Sequence, residues 1–192
     1  MHARNAVIIF LVIAFSVIGG CTGGAPVEAP PPGGTSAITG ITAPEEDGYV
    51  SLDLAMDTLA LYDAEELLST DGMAIHMVSG TGVDATGNAK RWMLGATRGY
   101  EAFILIYEGG EWREYPWGGA LPEQAINLTT IVIPSELYRM QAGQIRALLE
   151  AEDAGETELL LSGGIYTIEV QGRDRRTSLH LNAVTGDVIP RA

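Results

Sequence analysis

The sequence predicts an α+β fold made of two helix-plus-antiparallel-sheet (αβββ) units in tandem. Three observations lead there. Apolar residues recur at helical spacing in two stretches, one from residue 51 and one from residue 135. Each stretch is followed by short apolar or alternating runs separated by glycine-containing turns, the pattern of a strand meander. Of 192 residues, 144 remain once 48 N-terminal residues of leader and low-complexity character are set aside (192 − 48). A domain of that size buries about 70% of its chain surface, whereas halves of about 70 residues would each be marginal alone. The halves are therefore expected to share a core. The expected boundaries are 1–20 for a leader, 21–48 for a tether, 49–118 for the first half, 119–134 for a connector and 135–192 for the second half.

In the leader, Arg4 and the amino terminus supply positive charge, and Ala6–Ile18 is apolar except for Ser16. Thirteen residues make about 20 Å of helix against a hydrocarbon core of about 30 Å, which is the length of a signal segment rather than a span. Ile18-Gly19-Gly20-Cys21 resembles a lipobox, with small residues beside the cut. The expected outcome is cleavage before Cys21, the one cysteine of the chain, and a diacylglyceryl group on its sulfur. One acyl chain holds a protein to a membrane only marginally, and two hold it stably. The mature chain is then anchored in the cell membrane and faces the extracytoplasmic side. Thr22–Gly48 is rich in Gly, Pro, Ala, Ser and Thr and includes Pro30-Pro31-Pro32. It has no apolar periodicity, so it reads as a disordered spacer with a root-mean-square span of about 30 Å.

The first half opens with a helix predicted over Ser51–Ser69, capped by Ser51, with Leu52, Ala55, Met56, Leu59, Leu67 and Leu68 as its apolar face. Met73–Ser79 is expected as a strand, Gly80–Asn88 as a loop and Lys90–Thr97 as a second strand. Glu101–Glu108 follows as a strongly apolar strand, which Gly109-Gly110 turns into Glu111–Tyr115. In the second half, Ile126–Ile133 is an apolar run that reads as a strand or a covered linker. Ser135 is expected to cap a helix with Leu137, Met140, Ile145, Leu148 and Leu149 on one face, ending near Asp153-Ala154-Gly155. Strands are expected over Glu158–Leu161, Ile165–Gln171 and Arg175–Ala183. Thr185-Gly186-Asp187 then turns Val188-Ile189 back to pair.

Two segments of this half, Tyr166-Thr167-Ile168-Glu169-Val170 and Leu181-Asn182-Ala183-Val184-Thr185-Gly186-Asp187-Val188, resemble the C-terminal half of a PepSY domain. That family closes its last strand with a pattern close to V-D-A-x-T-G-E-V, and this chain has Leu181 and Asn182 where Val and Asp are usual. The resemblance spans residues 166–189, or 135–190 with the preceding helix. It implies a helix followed by a small antiparallel sheet, a cell-envelope setting and a role in modulating proteases. It brings no catalytic motif.

Net charge is −14, and it becomes −15 without Arg4. Such a surface repels phosphate backbones and argues against nucleic acid as a partner. After cleavage, His76 and His180 are the remaining histidines, each in a predicted strand with no second ligand at useful spacing. No H-E-x-x-H, G-x-S-x-G or phosphate-binding glycine loop is present. No enzyme activity, catalytic residue, metal site or cofactor is expected beyond the lipid on Cys21. Trp112, Tyr115 and Trp117 cluster in the sequence and form a candidate stacking platform for a partner protein or a glycan, or else pack a sheet face. Asn127-Leu128-Thr129 is an N-glycosylation sequon at Asn127. The leading expectation is a noncatalytic protein-binding module that engages an envelope or secreted protein such as a protease. The alternative is a glycan or small-ligand binder using the aromatic patch.

Overall fold

The computed structural model describes residues 48–151, 155–173 and 175–190. The leader, Cys21 and the tether to residue 47 lie outside the described residues. The elements in chain order are α1 (Leu52–Ala64), β1 (Met73–Val83), β2 (Ala89–Arg98), β3 (Glu101–Glu108), β4 (Glu111–Pro116), α2 (Pro134–Met140), α3 (Ala142–Ala151), β5 (Thr157–Ser162), β6 (Ile165–Gln171) and β7 (Arg176–Asn182). Among the described residues every strand pairing is antiparallel, and seven strands form one sheet in the order β4-β3-β2-β1-β5-β6-β7.

The fold is α+β. It differs from two αβββ units in one respect. The first helix is followed by four strands, because Glu111–Pro116 pairs fully with β3. The sheet is also continuous across the halves, since β1 pairs with β5 from Met77↔Ser162 to Thr81↔Glu158. The first strand of each half meets its counterpart at the centre, and each half meanders outward from there.

Local chemistry explains where the elements begin and end. The Ser51 hydroxyl accepts the Leu54 N–H at 3.2 Å and starts α1 as expected. The helix stops at Ala64 rather than Ser69. Glu66 adopts a positive φ of 59°, and the Asp63 carboxylate accepts the Thr70 N–H at 2.7 Å. This local side-chain bond competes with helix continuation, and Leu67, expected on the buried face, is left 60% exposed. The first four residues of the expected loop over Gly80–Asn88 are strand: β1 runs to Val83, and the segment after it turns. There Asp84 Oδ1 accepts the N–H groups of Thr86 and Asn88 and the Thr86 hydroxyl. Gly80 belongs in the strand because the Trp92 ring lies on it; a Cβ at that position would come within 2.7 Å of the indole.

Residues 126–133 are the covered linker and not a strand. Ile126, Leu128, Ile131 and Val132 pack against the core, and the Val132 N–H donates to Ala183 O at 2.8 Å. The second helix is capped at Ile133, with Pro134 in its first turn and Ser135 inside it, so Ser135 is not the cap. It breaks at Gln141 into α2 and α3. The Gln141 side chain donates to Gly186 O at 2.9 Å and ties the break to the turn after β7. Part of the predicted terminus, residues 152–154, lies outside the described residues. The return of Val188-Ile189 is present: Val188 bridges Leu181, and the Ile189 N–H donates to His180 O.

The helices cover one face of the sheet. Across that face, hydrogen-bonded register aligns Trp112, Tyr107, Trp92, Gly80, Leu159, Ile168 and Leu179 in one row from β4 to β7. Leu105, Leu94, Val78, Leu161, Tyr166 and Leu181 form the next row. Leu52, Ala55 and Leu59 of α1, Leu137 and Tyr138 of α2 and Ile145 of α3 join these residues in one cluster. Both halves therefore share a core, as the length argument requires.

Candidate functional site

The three aromatic residues close together in sequence do not form a platform. β4 alternates its side chains between the two faces of the sheet. Trp112 points to the helix face, is 3% exposed, tilts against Tyr107 at 5.2 Å and donates its indole N–H to Ala55 O at 2.7 Å. Tyr115 projects from the opposite face, and Trp117 lies past the end of the strand; each is 46% exposed. Trp112 is thus a core residue and contributes no ring to the surface. Asn127 is exposed, and its Oδ1 accepts the Thr129 N–H and hydroxyl in a local turn. Cys21 lies outside the described residues.

The opposite, helix-free face is the larger surface feature. One of its rows runs Arg113, Ile106, Met93, Ser79, Leu160, Thr167, His180. The parallel row on one side runs Glu111, Glu108, Arg91, Thr81, Glu158, Glu169, Ser178. The row on the other side includes Tyr115, Ile104, Gly95, Met77, Ser162 and Ile165. The connector after β4 crosses part of this last row. Leu121 lies on Gly95, where a Cβ would meet it at 2.8 Å, and Ile104 beside it is buried. The rest stays open: Leu160 and Ile165 are exposed, and Met77, Met93 and Ile106 are half-buried. An apolar band bordered by four glutamates and one arginine therefore faces away from the helices.

The histidines stay apart. His76 sits in the β1 irregularity with Nε2 3.0 Å from Thr97 Oγ1. His180 lies on β7, with Nδ1 3.1 Å from Thr167 Oγ1 and Nε2 3.3 Å from Ser178 Oγ. Among the described residues no group of three or more His, Cys, Asp or Glu is placed to hold a metal ion. No helix among them is long and apolar enough to cross a membrane. A second surface feature was not legible in the sequence: a groove of about 470 Å³ at the corner where β2 turns into β3 and β4 ends. Tyr100, Glu101, Phe103, Glu114 and Trp117 line it together with Arg98. These residues come from two stretches, 98–103 and 114–117, and the β3–β4 register joins them.

No protein-family model and no curated protein matches the chain, so the resemblance to PepSY domains gains no support from either. Among solved structures, that of a putative lipoprotein from Clostridium difficile 630 is similar at 12% sequence identity, over 76% of this chain and 94% of that one, with a TM-score of 0.46. Likeness at this level assigns neither family nor function.

Proposed function

We propose that the chain is a membrane-anchored, extracytoplasmic lipoprotein that acts as a noncatalytic protein-binding module. The address rests on the Ile18-Gly19-Gly20-Cys21 signal and on the spacer that follows it. The binding role rests on one observation: the helix-free face of the sheet leaves Leu160 and Ile165 exposed beside half-buried Met77, Met93 and Ile106. An apolar band of this kind on a folded domain supports reading the face as an interaction surface. Of its border, Glu111 is paired with Arg113 and Glu169 with Arg176, while Glu108 and Glu158, on a chain of net charge −14, favour a partner whose rim is basic. The partner is an envelope or secreted protein, and the PepSY resemblance points to a protease. The aromatic-patch alternative loses Trp112 to the core and keeps only Tyr115 and Trp117, on different parts of the surface.

The test is crosslinking in native membranes followed by affinity capture and mass spectrometry, run on the natural chain and on Leu160→Glu. The expected result is one enriched envelope or secreted protein that Leu160→Glu loses. Equal recovery with both chains, or no protein recovered, refutes the role of this face. The same spectra read the N-terminal peptide, where a diacylated Cys21 is expected and an uncut leader would overturn the address.

A further inference from the structure

We infer that the free edge of β4, together with the corner groove beside it, binds an extended peptide carrying arginine or lysine. The inference rests on the binding-module reading for the class of ligand and uses a different surface. Gly109 and Gly110 both have positive φ, which closes the β3–β4 hairpin with a two-residue turn at the Glu108↔Glu111 pair. Antiparallel register then turns the N–H and C=O groups of Glu111, Arg113 and Tyr115 toward β3 and those of Trp112 and Glu114 outward. The Trp117 N–H donates to Ala102 O, as this alternation requires. β4 ends the strand order, and no described strand pairs with its outer side. Pro116 closes the edge, leaving a short run of backbone for an added strand.

Side-chain chemistry on the helix-face side of this edge favours a cation. Glu114 lies there, at the mouth of the groove shared by Glu101, Tyr100, Phe103 and Trp117. Tyr100 is fully exposed. Trp117 is held by its ring lying over Gly119, where a Cβ would come within 2.8 Å of the indole. Arg98 is occupied: its guanidinium stacks on Phe103 at 4.6 Å and donates to Ser69 O and to the Glu114 carboxylate at 3.2 Å. Two carboxylates against one engaged guanidinium leave the groove negative. An added strand would project every second side chain into it, where aromatic faces and carboxylates both attract a cation. On the other face the same strand would pass Arg113 and Tyr115.

The experiment measures fluorescence polarisation of labelled five-residue peptides with the full chain in detergent micelles. One peptide alternates threonine and arginine, a second carries glutamate in place of arginine, and a third is the arginine peptide with alternate backbone amides methylated. Tight binding of the first alone is expected. Tyr100→Ala and Trp117→Ala should each weaken it about 2- to 5-fold, the size of a cation–π contact at an exposed site. Glu101→Gln should weaken it and reduce its salt dependence. Equal binding of the glutamate peptide removes the charge argument, and equal binding of the methylated peptide removes the edge. No binding of the arginine peptide, with a labelled neutral oligosaccharide bound instead and released by Trp117→Ala, assigns the groove to sugars and overturns the proposal. Leu160→Glu separates the two surfaces. Peptide binding lost in that variant but kept in Tyr100→Ala refutes the groove and leaves the binding-module reading standing.

Discussion

Replacing Trp112 with alanine should destabilise the fold by about 4 kcal/mol, because burying and then deleting a tryptophan in a packed core costs about 3–5 kcal/mol. The structure supplies the contributions. The residue is only 3% exposed, it packs on Tyr107 at 5.2 Å, and its indole N–H is bonded to Ala55 O near the start of α1. Trp112 is thus the pin between the outermost strand of the sheet and the first helix. Trp112→Phe keeps most of the ring and loses the donor, so about 1–2 kcal/mol is expected from the lost bond and the smaller volume. Trp117→Ala is the control, since a half-exposed ring beyond the strand should cost less than about 1 kcal/mol. Equilibrium urea unfolding followed by far-ultraviolet circular dichroism measures all three without relying on the fluorescence being altered. Thermal midpoints should fall by roughly 8–16 °C for Trp112→Ala. A Trp112→Ala chain within 1 kcal/mol of the natural one, or a Trp117→Ala chain that loses more, would refute the assignment of Trp112 to the core and restore it to the surface.

Two buried tyrosines should respond in opposite ways to loss of the hydroxyl. Tyr166 donates to Val132 O at 2.8 Å, so Tyr166→Phe leaves that carbonyl without the bond and should cost about 1 kcal/mol. The Tyr138 hydroxyl is buried with no partner among the described residues, so Tyr138→Phe should be neutral or stabilise by up to about 1 kcal/mol, both read by urea titration. Burial pushes both phenols above their ordinary range, with a smaller push from Asp84 on Tyr138 and from Asp53 on Tyr166. The unfolded chain therefore releases these protons first. Their contribution is complete below about pH 10 and is lost as the pH rises past it, by about 1.4 kcal/mol per unit for each group; Tyr138→Phe should flatten that alkaline decline. Gly80→Val should destabilise by about 1–3 kcal/mol despite valine's preference for strands, because the new side chain meets Trp92 and Ala89; an unchanged urea midpoint would show the indole can move aside. Cys21→Ala should shift the protein from the membrane to the soluble fraction on cell fractionation, and continued membrane retention would mean that lipid on Cys21 is not the anchor.

The sequence alone determined the α+β class, most strand positions and the shared core. Strand limits were legible where alternation met a strong stop: β3 between Arg98-Gly99 and Gly109-Gly110, and β6 between Gly163-Gly164 and Gly172, both match the structure residue for residue. The Ser51 cap was legible because a hydroxyl at the first helical turn has a local partner. Signals failed where a local bond or a distant packing contact outweighed the pattern. Asp63 holding Thr70 ended α1 early, Trp92 lying on Gly80 kept that glycine in a strand, and Pro134 moved the cap of α2 off Ser135.

Which side chains share a surface depends on strand register and packing. Trp112, Tyr115 and Trp117 are close in sequence, yet the two-residue period of a strand sends the first into the core and the second to the far face. Tyr100 and Glu101 are more than ten residues from Glu114 and Trp117, yet antiparallel register brings them to one groove. The joining of both halves into one sheet depends on pairing β1 with β5 across more than seventy intervening residues. Local propensity says nothing about that pairing, because hydrogen bonding between strands is satisfied by any edge of matching register, and only the packing of both helix layers on one face selects this one.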